Sequence, residues 1–369
     1  MNKIYIEVDG VLYENLLDIR VRRDMTEFCG TFSLSATNET TNITDFSEFP
    51  IKPNSNIKIY IDEFPVMNGY VDTISVDINN DGYILSINGR DITQDILDSS
   101  LVGNVEFKNR ISFKKVIERV LVNLGVTDIK VIDNVGDLND FKTSEIISGS
   151  VDETGFDFLN KLAKKRQVLL STNEEGNITI SRAGTEDSGG ELRMIVGDSE
   201  NNVLSAINNI DSVNRFNKYS IFSQDNPSSG FGDFDDVPSK LAMSTDAEIR
   251  VSRQINIIPE NSSNVRDCKN RATWERNFRK AKANTTACTV KDFYADTVNK
   301  ILWKNNKLVN TRIEPLGIYT DLLIKSVQFS QANNELITNL ELVDKDAYTI
   351  ESKLEKLNIL QSKQKDNLF

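Results

Sequence analysis

Polar and apolar side chains alternate with a period of two through most of the first hundred residues, and tight-turn dipeptides interrupt the alternation. That period buries one face of a strand and no face of a helix. Ile4, Ile6 and Val8 alternate with polar neighbours before Asp9-Gly10 turns the chain into Val11-Leu12-Tyr13. Asp-Gly accepts the positive φ angles that a two-residue hairpin needs. Ile19–Arg22, Phe28–Leu34, Ile57–Ile61, Tyr70–Ile78 and Tyr83–Ile87 extend the pattern, separated by an Asn/Thr-rich stretch at 38–44 and a loop with Pro50 and Pro53. Short strands so spaced predict a closed or nearly closed β-barrel or a sandwich. Val71, Ile74, Val76, Ile84 and Ile87 are expected inside it.

The texture then changes. Ser112 can cap a helix whose apolar residues are Phe113, Val116, Ile117, Val120, Leu121 and Leu124, with Gly125 placed for a left-handed C-cap. A strand at Ile129–Ile132 follows, and Asp152 can start a second helix through Phe156, Leu159, Leu162 and Ala163. Val168–Leu170 is expected to pair with Ile178–Ile180. Strand texture returns after the polar run Thr185–Glu191. A long helix is expected from Ser263 to about Lys282, and strands resume at Ala287–Phe293 and Val309–Ile313. These shifts predict four segments. Residues 1–100 form a first β-barrel domain and 101–185 a small α+β inserted domain. Residues 186–350 form a second β-barrel domain with one long helix, and 351–369 a polar C-terminal tail. The fold class is therefore mainly β, with two antiparallel barrels flanking an α+β insertion.

A weak internal repeat supports two related barrels. The segment Tyr70–Ile92 lies on Leu323–Lys345 without a gap, at an offset of 253, so that Val71, Ile74, Val76, Ile84 and Ile87 meet Ile324, Val327, Phe329, Ile337 and Leu340.

The chain has no histidine, which removes Ser-His-Asp and Cys-His catalysis and His-rich zinc sites. Cys29, Cys268 and Cys288 are far apart and lack CxxC spacing; they read as buried small apolar residues. Among carboxylates, Asp72, Asp77, Asp91, Asp95, Asp98, Asp235 and Asp236 could supply a glycosidase pair, but no pattern singles out two of them. Ser112-Phe113-Lys114-Lys115 has SxxK spacing, yet Ser112 suits a helix cap better. Gly230-Phe231-Gly232 lacks the lysine and following helix of a phosphate loop, and Asp225 with Asp233–Asp236 lacks EF-hand spacing. The long helix carries Arg266, Lys269, Arg271, Arg276, Arg279, Lys280 and Lys282. Its aromatics, Trp274 and Phe278, fall on the apolar stripe, so a solvated or partner-facing basic surface is expected, not a nucleic-acid site. No catalytic, cofactor-binding or metal residue is assigned, and no cofactor is expected. With 43 Lys+Arg against 55 Asp+Glu the net charge is −12, which argues against general phosphate-backbone binding. No run approaches the roughly 18 apolar residues of a membrane span, and the N-terminus has no signal-like apolar core, so stable membrane insertion is not expected.

One stretch is more specific. Gly69-Tyr70-Val71-Asp72, followed by Asn88-Gly89-Arg90-Asp91 and on through Asp95-Ile96-Leu97-Asp98, resembles the "GYVD … GRD-x-x-x-DL-x-D" segment of baseplate hub proteins of Mu-like contractile-tailed phages. Other features follow that family's order: the opening "VDGVLY", Val21-Arg22-Arg23 leading to Gly30–Leu34, "FDFLNKLAKKRQVLL", Glu175–Gly184, Trp274-Glu275, Leu302-Trp303 and the closing Leu340-Glu341-Leu342. Ser99 departs from the pattern, which has cysteine there, and the tail after 350 is an extension.

The resemblance implies a structural virion protein of the tail baseplate, assembled in the host bacterial cytoplasm, and not an enzyme. It implies a homotrimer between the sixfold tail tube protein and the trimeric membrane-piercing central spike protein, in contact with other baseplate proteins. DNA would pass through its lumen without specific binding, along an acidic or neutral wall. The competing readings are the hub of a tailocin or of a bacterial contractile secretion system, and a tail-associated cell-envelope glycosidase or peptidase.

Overall fold

The computed structural model describes residues 4–13, 18–37, 51–79, 82–136, 138–143, 145, 147–223, 240–259, 265–332 and 335–349. The Asn/Thr-rich stretch, the acidic loop 225–236, Ser263 and the tail from 350 lie outside the described residues.

The first β unit contains β1 (Ile4–Val8), β2 (Val11–Tyr13), β3 (Asp18–Asp24), β4 (Thr31–Thr37), β5 (Asn56–Ile61), β6 (Phe64–Asn79) and β7 (Gly82–Asp91). Asp9 and Gly10 both adopt positive φ, 50° and 86°, closing the β1–β2 hairpin with Val8 opposite Val11. The expected turn is present. Residues 92–186 hold β8 (Val105–Phe107), β9 (Val131–Asp133), β10 (Ile147–Gly149), β11 (Leu169–Thr172) and β12 (Ile178–Ser181). Among them run helices Phe113–Asn123 and Gly155–Arg166. Ser112 caps the first of these, its side chain accepting from the Lys115 N–H, and Gly125 has φ 75°. The second helix is capped by Thr154, which accepts from the Asp157 N–H, and not by Asp152. Asp152 instead accepts from the Ser150 hydroxyl, a local bond that leaves it outside the helix.

The second β unit contains β13 (Asp187–Met194), β14 (Val203–Ile210), β18 (Asn284–Lys291), β21 (Leu308–Ile313), β22 (Ile318–Ala332) and β23 (Glu335–Asp344), with a small hairpin of β19 (Tyr294–Asp296) and β20 (Ile301–Leu302). Between β14 and β18 stands a separate three-stranded sheet of β15 (Lys218–Ser223), β16 (Lys240–Thr245) and β17 (Gln254–Ile257). The long helix Val265–Ala283 packs on it through Cys268 and Ala272 against Ile221 and Ala242.

The two β units are one sheet. Its strands run in the order β14-β18-β23-β22-β3-β4-β7-β6-β5-β1-β2, and β22 pairs with β3 across the whole sequence, Ser326 opposite Asp24 through Ala332 opposite Asp18. The expected separate closed barrels are therefore not what the described strands form. Closure of the first unit would need the outer edge of β3, and β22 occupies it. One hydrophobic cluster spans both units, from Ile6, Phe32 and Ile87 to Cys288, Val327 and Leu340.

The repeat survives in full. Each pair along β6–β7 has its equivalent 253 residues later along β22–β23: Gly69 opposite Asp91 and Leu322 opposite Asp344, Ile74 opposite Ile87 and Val327 opposite Leu340. Both hairpins carry a β-bulge at the same place, Asp72 in one and Lys325 in the other. Val71 and Ile87 are buried as expected, and Ile74 and Val76 pack against the core partly exposed. Ile84 is a correction: it is 42% exposed, and Leu85 is buried in its place. Ile84 and Ile87 are three apart, and an odd spacing puts two strand residues on opposite faces.

Candidate functional site

Eight strands of the sheet, β14 to β6, alternate two kinds of side chain. Val21, Phe32, Ile87, Val327, Leu340 and Cys288 point to the core. Their neighbours on the opposite face are mostly polar, among them Ser33, Ser86, Asn88, Thr73, Ser75, Gln328, Ser330, Asn339 and Thr289, with Ile84 and Ile207 the exposed apolar exceptions. These groups bond one another along the face, Asn88 Nδ2 to Thr73 Oγ1 at 3.4 Å and Thr289 Oγ1 to Asn339 Oδ1 at 2.8 Å. An open depression of about 490 Å³ on this face is lined by Arg20, Arg22, Ser33, Thr73, Asn88, Arg90 and Gln328.

Four cations of this face are matched by carboxylates, while Lys291 of β18 stands exposed. Arg20 meets Asp18 at 2.9 Å, and Arg22 meets Asp24 at 3.0 Å. Lys325, the bulge residue of β22, meets Glu341 at 2.8 Å and Asp24 at 3.5 Å. Arg90 holds Asp72, the bulge residue of β6, at 2.8 Å and Asp98 at 2.7 Å. Its hydrogen bonds, first to Asp98 and then to Asp72, raise the Arg90 pKa, and the Arg90 bond holds the Asp98 carboxyl below the usual carboxylate range. Partly exposed pairs of this kind contribute about 0–1 kcal/mol each. Their main effect is to cancel charge.

The resembling motif gains physical meaning residue by residue. Gly89 has no room for a side chain: a Cβ there would sit 2.2 Å from the Tyr70 carbonyl oxygen and 2.3 Å from the Phe32 ring. Arg90 clamps the bulge. Asp91 is fully buried and accepts from the Gly30 N–H at 2.7 Å, the Thr93 N–H at 3.0 Å and the Thr172 hydroxyl at 2.5 Å. Beside it Arg23, carried by the Val21-Arg22-Arg23 segment, donates to the carbonyls of Val66 and Thr172, both at 3.0 Å. Asp91 and Arg23 thus tie the first β unit to β11.

The carboxylates considered for acid–base chemistry are placed apart or used elsewhere. Asp72 and Asp98 share Arg90, and Asp91 is a buried hydrogen-bond hub. Asp95 has a pKa raised by burial and then by Asp98. Asp77 stands exposed, and Asp235 and Asp236 lie outside the described residues. Among the described residues no group of three or more Cys, Asp or Glu could hold a metal ion. Cys29 and Cys288 are buried, which pushes each thiol up to about 12. Several cations of the basic helix are paired, Arg271 and Arg279 both with Glu275 and Lys280 with Glu248 at 2.5 Å, and Lys282 lies over the Phe278 ring, while Arg266 and Lys269 are exposed. No described helix is long and apolar enough to cross a membrane.

Comparison with known proteins agrees with this arrangement. Residues 3–91 match the family model for the N-terminal domain of the Mu phage baseplate assembly protein GpP-like, and residues 264–351 match the fourth domain of GpP. The chain is 23% identical to the baseplate hub protein gp44 of Escherichia phage Mu, over 97% of this chain and 92% of that one. The 43 kDa tail protein of prophage MuSo2 from Shewanella oneidensis superposes with a TM-score of 0.78 at 27% identity, covering 94% and 99% of the two chains. A tail protein from Neisseria meningitidis MC58 superposes with a TM-score of 0.76 at 15% identity, covering 95% and 98%. These relatives are a baseplate hub protein and two tail proteins. Both ends of the chain thus match domains of the Mu phage baseplate assembly protein, and the chain as a whole is similar to a baseplate hub protein and to tail proteins of Mu-like phages.

Proposed function

We propose that this hub is a homotrimer that adapts the sixfold tail tube to the threefold central spike, with the polar sheet face lining the channel for DNA. The observation that carries the reading is the β22–β3 join, which sets two equivalent hairpin units side by side in one chain. Rotation by a third of a turn would then present six near-equivalent units from three copies. The barrel expected for each unit is in this reading completed by the ring as a whole. Residues 101–185 would sit on the periphery, where they do not interrupt it.

The chemistry of the face suits a passage for duplex DNA. Fixed cations would bind phosphates and slow the strand, since each neutralised phosphate adds salt-sensitive affinity. Here the arginines and Lys325 are held by carboxylates, and most of the remaining surface is hydroxyl and amide side chains, with Ile84, Ile207 and one lysine, Lys291, among them. Assembly would take place in the host cytoplasm, with the tube protein, the spike and other baseplate proteins as partners.

Light scattering on the full chain, alone and with tube and spike proteins, tests the assembly; three copies are expected. A monomer under every condition overturns the reading. Duplex DNA should bind weakly at physiological salt, and tight binding would rule out a neutral passage.

A further inference from the structure

Over the β22–β3 join the core face is not fully covered. Phe329 lies opposite Val21 and Val327 opposite Arg23, and these residues line a crevice of about 330 Å³. Phe64 and Val66 of β6 and Leu302 and Trp303, at the end of β20, line it as well, so its body is apolar. A cavity of this size with apolar walls and few polar groups has the character of a small-ligand site.

Two of its lining residues are buried and carry donor capacity to spare. Trp303 is 2% exposed, and its Nε1–H is buried without an acceptor. Arg23 is 9% exposed. Its Nε donates to the Val66 carbonyl, and its Nη1 donates to the carbonyl and the hydroxyl of Thr172. Nη2 donates to the Met67 sulfur at 3.8 Å, a weak acceptor. Asp91 answers the guanidinium charge through the Thr172 hydroxyl, which accepts from Arg23 at 3.1 Å and donates to Asp91 at 2.5 Å. A buried donor and a buried cation left so incompletely bonded cost free energy that an anionic acceptor would recover.

The rim limits what that acceptor can be. Lys304 meets Glu174 at 3.0 Å and Lys300 meets Glu63 at 3.4 Å, while Glu175 adds a further carboxylate to the lining. These carboxylates oppose a dianion such as a phosphate monoester, and the apolar walls offer nothing to the many hydroxyls of a sugar. A single negative charge on an apolar body suits the walls, the rim and the two buried donors together.

We propose that the crevice binds a medium-chain monocarboxylate. Its alkyl body lies against Val21, Phe64, Val327 and Phe329, and its carboxylate accepts from Arg23 Nη2 and Trp303 Nε1. Arg–carboxylate bonds are among the stronger hydrogen bonds a protein forms. A ligand seated there touches β3 and β6 of the first β unit and β22 of the second, and so braces the join from the core side.

Fluorescence tests the site, because the chain has only two tryptophans, Trp274 and Trp303. In the full-length Trp274→Phe variant Trp303 is the sole indole, and bromine in contact with an indole quenches its emission. ω-Bromooctanoate should quench Trp303 saturably, and octanoate should reverse the quenching by competition. ω-Bromooctanol should bind about tenfold more weakly, because it leaves the buried cation without an anionic acceptor. The Trp303→Phe variant, which keeps Trp274, should show no saturable quenching. Calorimetry of octanoate with the unsubstituted chain reads the same site without any replacement. Unsaturable quenching of Trp303, equal affinity for the alcohol, saturable quenching only in Trp303→Phe, or no octanoate binding by calorimetry overturns the proposal.

Discussion

The two β units share a hairpin register but join their first two wall strands in opposite ways. In the first, residues 25–30 carry the chain from β3 to β4, held by the Thr26 N–H on Asp24 at 2.8 Å and the Gly30 N–H on Asp91. In the second, the equivalent step from β14 to β18 contains a three-stranded sheet and the long helix. A wall pinned by backbone pairing on both sides tolerates either connection, because loop-closure entropy rises only slowly with length. The core differs in a complementary way. Phe32 packs over Gly89 in the first unit, and Thr286 faces Leu342 in the second. The frame is common, and its filling is exchanged between strands.

Replacing Ile87 or its equivalent Leu340 by Ala gives the sharpest test that both units are equally built. Both side chains are buried in the shared cluster, so each change should destabilise by about 2–5 kcal/mol in denaturant titrations. Ile84→Ala, on the polar face, should stay within about 0.5 kcal/mol. A large loss at Ile84 would reverse the face assignment.

Gly89→Ala should destabilise by roughly 1–3 kcal/mol through overpacking. In a Phe32→Thr background part of that loss should vanish, because the ring clash is gone while the Tyr70 carbonyl clash remains. Strict additivity of the two changes would show that the strands do not exchange volume here.

The smallest effect concerns the connection found only in the second unit. Hydrogen bonds from Arg215 and then Lys280 lower the Glu248 carboxyl from 4.5 to about 2. The bond tying the small sheet to the helix therefore holds in full above about pH 4.5 and fades as the pH falls towards about 2. Amide exchange at residues 215–257 should accelerate over that window before exchange in β4 and β7. Uniform acceleration across both units would count against a separate module.

Local chemistry made several of these features legible. The Asp9-Gly10 turn, the Ser112 cap and the 253-residue offset all rest on neighbouring residues or on a repeated pattern. Asp152 and Thr154 are both good cap residues by type, and only the Ser150 contact separates them. Of the three strands within 211–283, only β15 shows in the sequence, as the strand texture of Tyr219–Phe222, and β16 and β17 leave no run that marks them. The β22–β3 join had no local signal at all: an edge pairing between residues 18–24 and 326–332 is decided by tertiary contact. The polar face was in the sequence as alternate Ser, Thr and Asn. Its charge balance was not, because Arg90 with Asp98 and Lys325 with Asp24 are partners only in space.

The bulges at Asp72 and Lys325 have a mechanical consequence. Each lies within a long strand whose first part pairs with β5 or β21 and whose remainder pairs with β7 or β23. A single backbone therefore passes from one pairing partner to the next without a break. Force applied along β6 or β22 is transmitted through covalent bonds and loads the flanking hydrogen bonds in shear, many at once, so that the neighbouring strands resist sliding apart more than side-chain packing alone would allow.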